Sequence, residues 1–362
     1  MVSWMALALL MFIALGSGSA AAVCRVEREP ADETTLFRRH LSRDCTSLER
    51  ARHAVQAREL LGALKAGKGI SLKNAVLIGD LLLTDLPAVP LASLPLPAPV
   101  LARLNQAQVR EVRVIGGPFL IQSSVVEGLI DTQLKPGMQE HRTLGDKLVI
   151  HGPVSFNGTT FTKEVDLSRT VFLEPVDSSQ AVYLSDALFL FCHFTKATTF
   201  EKTAFAGNTR YYQTVFEAPV TFLRAGFSGL TNFLSVVFQK EASFSRAYFK
   251  MGVGFSGSRF EGISDFSEAV FEKAAFFMHT VFHADAYFRR ATFRGEVNFA
   301  DAAFQAKDDF AKVFYQQEPN FTRTSFAAPR SSVGFENPVF LVIVLASLAI
   351  FLIAFIVMLK RG

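Results

Sequence analysis

The chain has 362 residues, half of them apolar, with 37 Phe and a formal net charge of +4. That length supports a sizeable buried core, and a charge so close to balance gives no whole-protein case for binding nucleic acid. Three cysteines, Cys24, Cys45 and Cys192, exclude a disulfide framework and a cysteine-rich zinc cluster.

Residues 4–15, WMALALLMFIAL, are a short apolar run followed by the small residues GSGSAAA. This predicts a signal peptide over 1–22, cut near Ala20 or Ala22, with an uncleaved anchor as the alternative. Cys24 and Cys45 flank the next 20 residues. In an oxidising space they close a loop; in a reducing one they stay as two thiols. Residues 46–69 predict one amphipathic helix with a Thr/Ser cap and a Gly stop. Within a cap region over 23–69, that helix would cover the open N-terminal end of whatever sheet follows. Irregular first coils, built of strand-like segments, are expected over 70–149, interrupted by the proline-rich stretch 85–99 and a second loop at 132–146. They begin at 70–83, where Leu72, Leu77 and Leu82 stand five apart.

From 150 to 326 the chain is periodic. Aromatic residues recur in alternating steps of five and six, as at Phe260, Phe266, Phe271, Phe277 and Phe282. Two series of period 11 result, one from Phe161 to Phe326 and one from Phe156 to Phe321; 30 of their 32 slots are aromatic, so chance is excluded. A helix would throw such residues to different sides, and a flat strand would flip face on every odd step. The pattern works only where the chain turns a corner between rings, which is a solenoid. Two residues before each ring of the first series stands a small or β-branched residue, as at Thr203, Ala225, Ser258 and Thr280. A strand places that residue on the ring's own face. Cys192, two before Phe194, falls in this slot and reads as an inert core residue.

Units such as RATF, DAAF, EAVF, SRF and TSF resemble the pentapeptide-repeat family. The resemblance implies an all-β solenoid, a right-handed quadrilateral β-helix with one unit per side. This chain departs from the family pattern in using Phe almost throughout and in adding a residue to every second unit. Four sides then take about 22 residues, and residues 155–326 make about eight coils, a rod of roughly 38 Å. Each buried ring is worth about 2 kcal/mol, so the aromatics are accounted for by stability and need no ligand.

After a juxtamembrane linker over 327–338, residues 339–359 run 21 residues without a charge and predict a transmembrane helix. Lys360 and Arg361 follow, placing the 360–362 tail in the cytoplasm and the body outside it.

Chemistry is thin. There is no Ser/His/Asp order, no glycine-rich phosphate loop and no HExxH. His279 and His283 fall on different sides of a coil and read as surface residues, so no cofactor and no metal is expected. Residues 150–326 hold 17 Lys/Arg and 18 Asp/Glu, which excludes a strongly acidic, DNA-like rod. One outward column stands out: Lys202, Arg224, Arg246, Glu268, Arg290 and Lys312 are 22 apart, while Gln213, Ser235, Gly257, His279 and Asp301 between them show no such bias. Its five cations would form a stripe about 24 Å long. The expected function is a non-enzymatic, membrane-anchored scaffold that holds a protein or an anionic envelope polymer. The alternative is a glycan-active β-helix enzyme of the envelope, which would need stacked carboxylates around a cleft.

Overall fold

The computed structural model describes residues 24–28, 34–132 and 147–327. Among them no helix is long and apolar enough to cross a membrane. The expected signal segment at 1–22 and span at 339–359 lie outside the described residues, as do the 360–362 tail and all but the first residue of the loop expected at 132–146 and of the linker expected at 327–338.

The chain enters through β1 (Val26–Arg28) and β2 (Leu36–Leu41), then α1 (Ser47–Arg52), β3 (Val55–Gln56) and α2 (Ala57–Lys65). The single helix expected over 46–69 is therefore two. Thr46 and Glu49 form the capping box that starts α1, and Gly67, at φ +78°, follows the end of α2. Between the helices β3 pairs with β5 (Val76–Ile78), after β4 (Gly69–Lys73). Leu60 and Leu64 of α2 are buried against the core. In β6 (Leu81–Leu82) it is Leu81 that points inward; Leu82 is 36% exposed, so the inward series Leu72, Leu77 does not continue at 82.

The proline-rich stretch is not a plain loop. It holds β7 (Ala88–Pro90), antiparallel to β8 (Glu111–Ile115), and α3 (Ala98–Gln106). Val100 and Leu104 of α3 pack on Val149, Val171 and Leu173, a small second core on the outside of the rod.

From β9 (Phe119–Gln122) onward the chain winds. Each coil lays short strands on four faces in turn: Val154–Ser155 on face I, Thr160–Phe161 on face II, Val165–Asp166 on face III and Thr170–Phe172 on face IV. The four sheets hold 12, 11, 9 and 11 strands. All pairings are parallel apart from β1 with β2 and β7 with β8, and the repeats pair residue i with i+22, as Phe205 with Phe227. The coil of about 22 residues is thus observed, and the solenoid extends past the Phe-rich part to coils lined by Ile70, Leu77, Ile121 and Ile130.

The rings form four columns. Within a column they lie parallel, as Phe172 on Phe194 at 4.5 Å and Phe233 on Phe255 at 4.9 Å. Columns of faces I and III meet edge to face across the centre, as Phe222 with Phe233 at 5.3 Å. Both arrangements suit the ring quadrupole. The small slots beside the rings are buried, and their hydroxyls donate to the preceding coil: Thr203 to the Ser178 carbonyl at 2.7 Å, Thr280 to that of Phe255 at 3.0 Å.

Two corners, I to II and III to IV, need a left-handed residue. From Gly158 to Arg323 every eleventh residue has positive φ, and only Gly158 and Gly257 are glycine. At the II-to-III corner coils approach closely: a Cβ on Gly229 would stand 2.3 Å from the Gly207 carbonyl oxygen.

Candidate functional site

The expected cationic column lies along the left-handed corner between faces I and II. Lys202, Arg224, Arg246, Glu268, Arg290 and Lys312 each have φ between 55° and 58°. A left-handed corner aims the side chain outward, and consecutive members sit one coil apart, about 4.8 Å. All five cations are exposed, but they are not equally bare. Glu268 accepts from Arg246 Nε at 2.9 Å and lies 3.9 Å from Arg290 Nη1. Lys202 Nζ is 2.8 Å from the neighbouring Glu201. Arg224 and Lys312 make no ion pair within 4.0 Å among the described residues. The Arg246 guanidinium holds the Glu268 carboxyl below its usual range, and Glu268 in turn raises Arg246. Beside this pair Ser267, Glu268, Arg289, Arg290, Ala311 and Lys312 line a cleft of about 420 Å³. Arg289 is tied to Asp309 at 2.5 Å, so Arg290 and Lys312 supply the cleft's available positive charge.

Cys24 and Cys45 are joined in a disulfide, Cα to Cα 4.5 Å. Next to it three residues line up as hydroxyl, imidazole and carboxylate: Ser71 Oγ is 2.8 Å from His40 Nε2, and Glu27 Oε2 is 3.8 Å from His40 Nδ1. Ser71 is only 6% exposed. The carboxylate also stands beyond hydrogen-bond reach of the ring. This geometry fixes an imidazole and does not present a nucleophile.

A second polar cluster clips α3 to face IV. Arg103 Nη2 donates to Glu217 Oε1 at 2.8 Å, His193 Nε2 lies 2.9 Å from the same oxygen, and Arg103 Nη1 is 2.8 Å from His193 Nδ1. A neutral ring that accepts from Arg103 at Nδ1 and donates to Glu217 from Nε2 satisfies those two bonds, while Arg103 Nη1 also lies against Nε2. Burial, with Arg103 beside it, lowers His193 from 6.5 to about 4. Nothing in the repeat pattern pointed to this cluster, because Arg103 lies 90 residues before His193.

On face III, burial and the nearby Asp166, Asp186 and Asp131 raise Glu164. Asp166 and Asp186 accept from backbone amides, of Ser168 at 2.7 Å and Asn208 at 2.8 Å. Among the described residues no group of three or more His, Cys, Asp or Glu is placed to hold a metal ion. His279 faces Asp301 at 4.0 Å and His283 bonds Gln305 at 2.8 Å, so the two histidines keep separate company.

Residues 266–313 match the family described as pentapeptide repeats (9 copies). Those residues carry Phe-rich pentapeptide repeats. No curated protein and no solved structure matches the chain.

The coil geometry explains several residues that otherwise look like chemistry. Cys192 is 1% exposed, donates to the Leu167 carbonyl at 3.0 Å as a threonine there would, and burial pushes its thiol up to about 12. Asp177, Asp265 and Asp309 each cap the amide two residues on, as do Asn232 and Asn298. These are turn devices. Their spacing in multiples of 11 was present in the sequence but shared its columns with Thr, Ser, Leu and Arg.

Proposed function

We propose that the chain is a non-enzymatic scaffold, anchored through 339–359, whose solenoid stands outside the cytoplasm and holds a protein or an anionic envelope polymer. The observation that carries the reading is the column Lys202, Arg224, Arg246, Arg290 and Lys312. These residues share one corner at one coil spacing, with a single acidic member, Glu268, against them. Cations held so close repel, and a polyanion laid along the corner relieves that repulsion. The Cys24–Cys45 bond supports the compartment, since disulfides persist in oxidising spaces.

Reversing Arg224, Arg246 and Arg290 to Glu should abolish both partner recovery from detergent-solubilised membranes and retention of anionic envelope polysaccharide. The melting temperature should barely move, because all three side chains are exposed. Unchanged recovery at physiological salt would sink the reading.

The second reading, a glycan-active enzyme, has one observation in its favour: Glu164 is held toward its protonated form among other carboxylates. It requires Glu164 as acid, and polysaccharide cleavage lost in Glu164→Gln would establish it.

A further inference from the structure

A separate cationic hollow lies at the first turn of face I, beside the disulfide. Its composition follows from strand register. β1 runs antiparallel to β2 and sets Glu27 opposite His40; β2 runs parallel to β4 and sets His40 opposite Lys73 and Arg38 opposite Ser71. Leu41 and Leu72 point into the core, so alternation turns Glu27, Arg38, His40, Ser71 and Lys73 outward. One step further, Ser42 donates its amide to the Arg25 carbonyl at 2.9 Å, and the Arg25 amide donates to Ser42 Oγ at 3.1 Å. That extends the pairing to the half-cystine at 24. Arg25, Glu27, His40, Arg43, Lys73 and Asn74 are among the residues that bound a space of about 290 Å³.

The charges around it do not balance. Glu27 is the one carboxylate in the lining, and it faces Arg38 at 3.6 Å and His40 at 3.8 Å. Arg25, Arg43 and Lys73 have no carboxylate within 4.0 Å among the described residues. The floor is fixed: Asn74 is 6% exposed, and its side-chain amide donates to the Leu41 carbonyl at 2.7 Å. Ser71 holds the imidazole from behind.

We propose that this hollow binds a phosphate group, with Arg25, Arg43 and Lys73 as its cationic contacts. Three cations without counter-charges suit a dianion better than a single carboxylate. His40 adds a proton-linked contact. Burial, Arg38 and Lys73 keep it below its ordinary value against the pull of Glu27; a bound dianion works in the opposite direction, so binding draws a proton onto the ring.

The test titrates inorganic phosphate and sulfate into the full chain in detergent at constant ionic strength. Saturable binding is expected, weakened at least tenfold by Lys73→Ala and by Arg43→Ala. Both side chains are exposed, so the variants should melt like the parent. Arg224→Glu, on the stripe, should leave this binding unchanged. Sulfate, which does not titrate in this range, should bind more tightly as pH falls from 7 to 5, and His40→Gln should remove that trend. A short-chain phosphatidic acid that binds tenfold more tightly than phosphate would identify a lipid headgroup; equal affinity would identify a soluble anion. Absence of saturable binding, or equal weakening by Lys73→Ala and Arg224→Glu, would overturn the site.

Discussion

Tyr183 and Tyr211 stand in adjacent ring columns, and their hydroxyls fare differently. Tyr183 Oη is 2.8 Å from Ser178 Oγ, where the face-I column has no ring and the serine leaves room for the hydroxyl. Tyr211 Oη is buried without a hydrogen-bond partner. Stranding a buried polar group costs about 1–3 kcal/mol, while removing an unpartnered one relieves a similar penalty. Tyr183→Phe should therefore destabilise the rod by roughly 1–2 kcal/mol and Tyr211→Phe should stabilise it by about 1 kcal/mol. Chemical denaturation of the two variants reads this directly, and equal shifts would contradict it. At this scale the sequence was legible where packing restricts side-chain size: the rings and the small slots beside them. It was silent where only backbone shape is restricted. The left-handed corners accept Arg, Lys, Gln, Glu, His, Asp, Ser and Phe. What they lack is Val, Ile and Thr, whose branched Cβ crowds a positive φ, and a missing residue type is a faint signal.

α3 shows why an element of ordinary composition escapes a reading from sequence. Nine residues make a marginal helix alone, and this one is held by contact with Val149, Val171 and Leu173. Pro97 before it and the pair Val100, Leu104 four apart were the available cues, outweighed by four neighbouring prolines. Its attachment should depend on pH through His193. The folded value, about 4, lies below the unfolded 6.5, so the unfolded ring takes up a proton first. Stability is full above about 6.5 and falls as pH drops from there towards 4. Hydrogen exchange of the α3 amides should rise through that window, and His193→Gln should flatten the rise. An identical pH profile in the variant would separate α3 from His193.

The whole molecule was legible as a coil length and a phase, because burial of identical rings at a fixed interval leaves one solution. Before residue 150 the coils were legible only as irregular ones, since they use Ile, Leu and Val, as at Ile70, Ile115 and Ile150, whose spacing is not distinctive. The excursion over 86–110 further breaks the phase there. Parallel pairing of each residue with its counterpart 22 positions on also governs how the rod answers a pull. Within the repeats a coil is held mainly by the coil on either side, so tension on the chain meets only one coil's bonds at a time. Twenty-two residues drawn straight span roughly 75 Å, against about 4.8 Å when wound. A tethered molecule stretched in an optical trap should therefore lengthen as a staircase, with treads of about 70 Å, rather than in a single rip. Each tread would be one turn of thread leaving a spool.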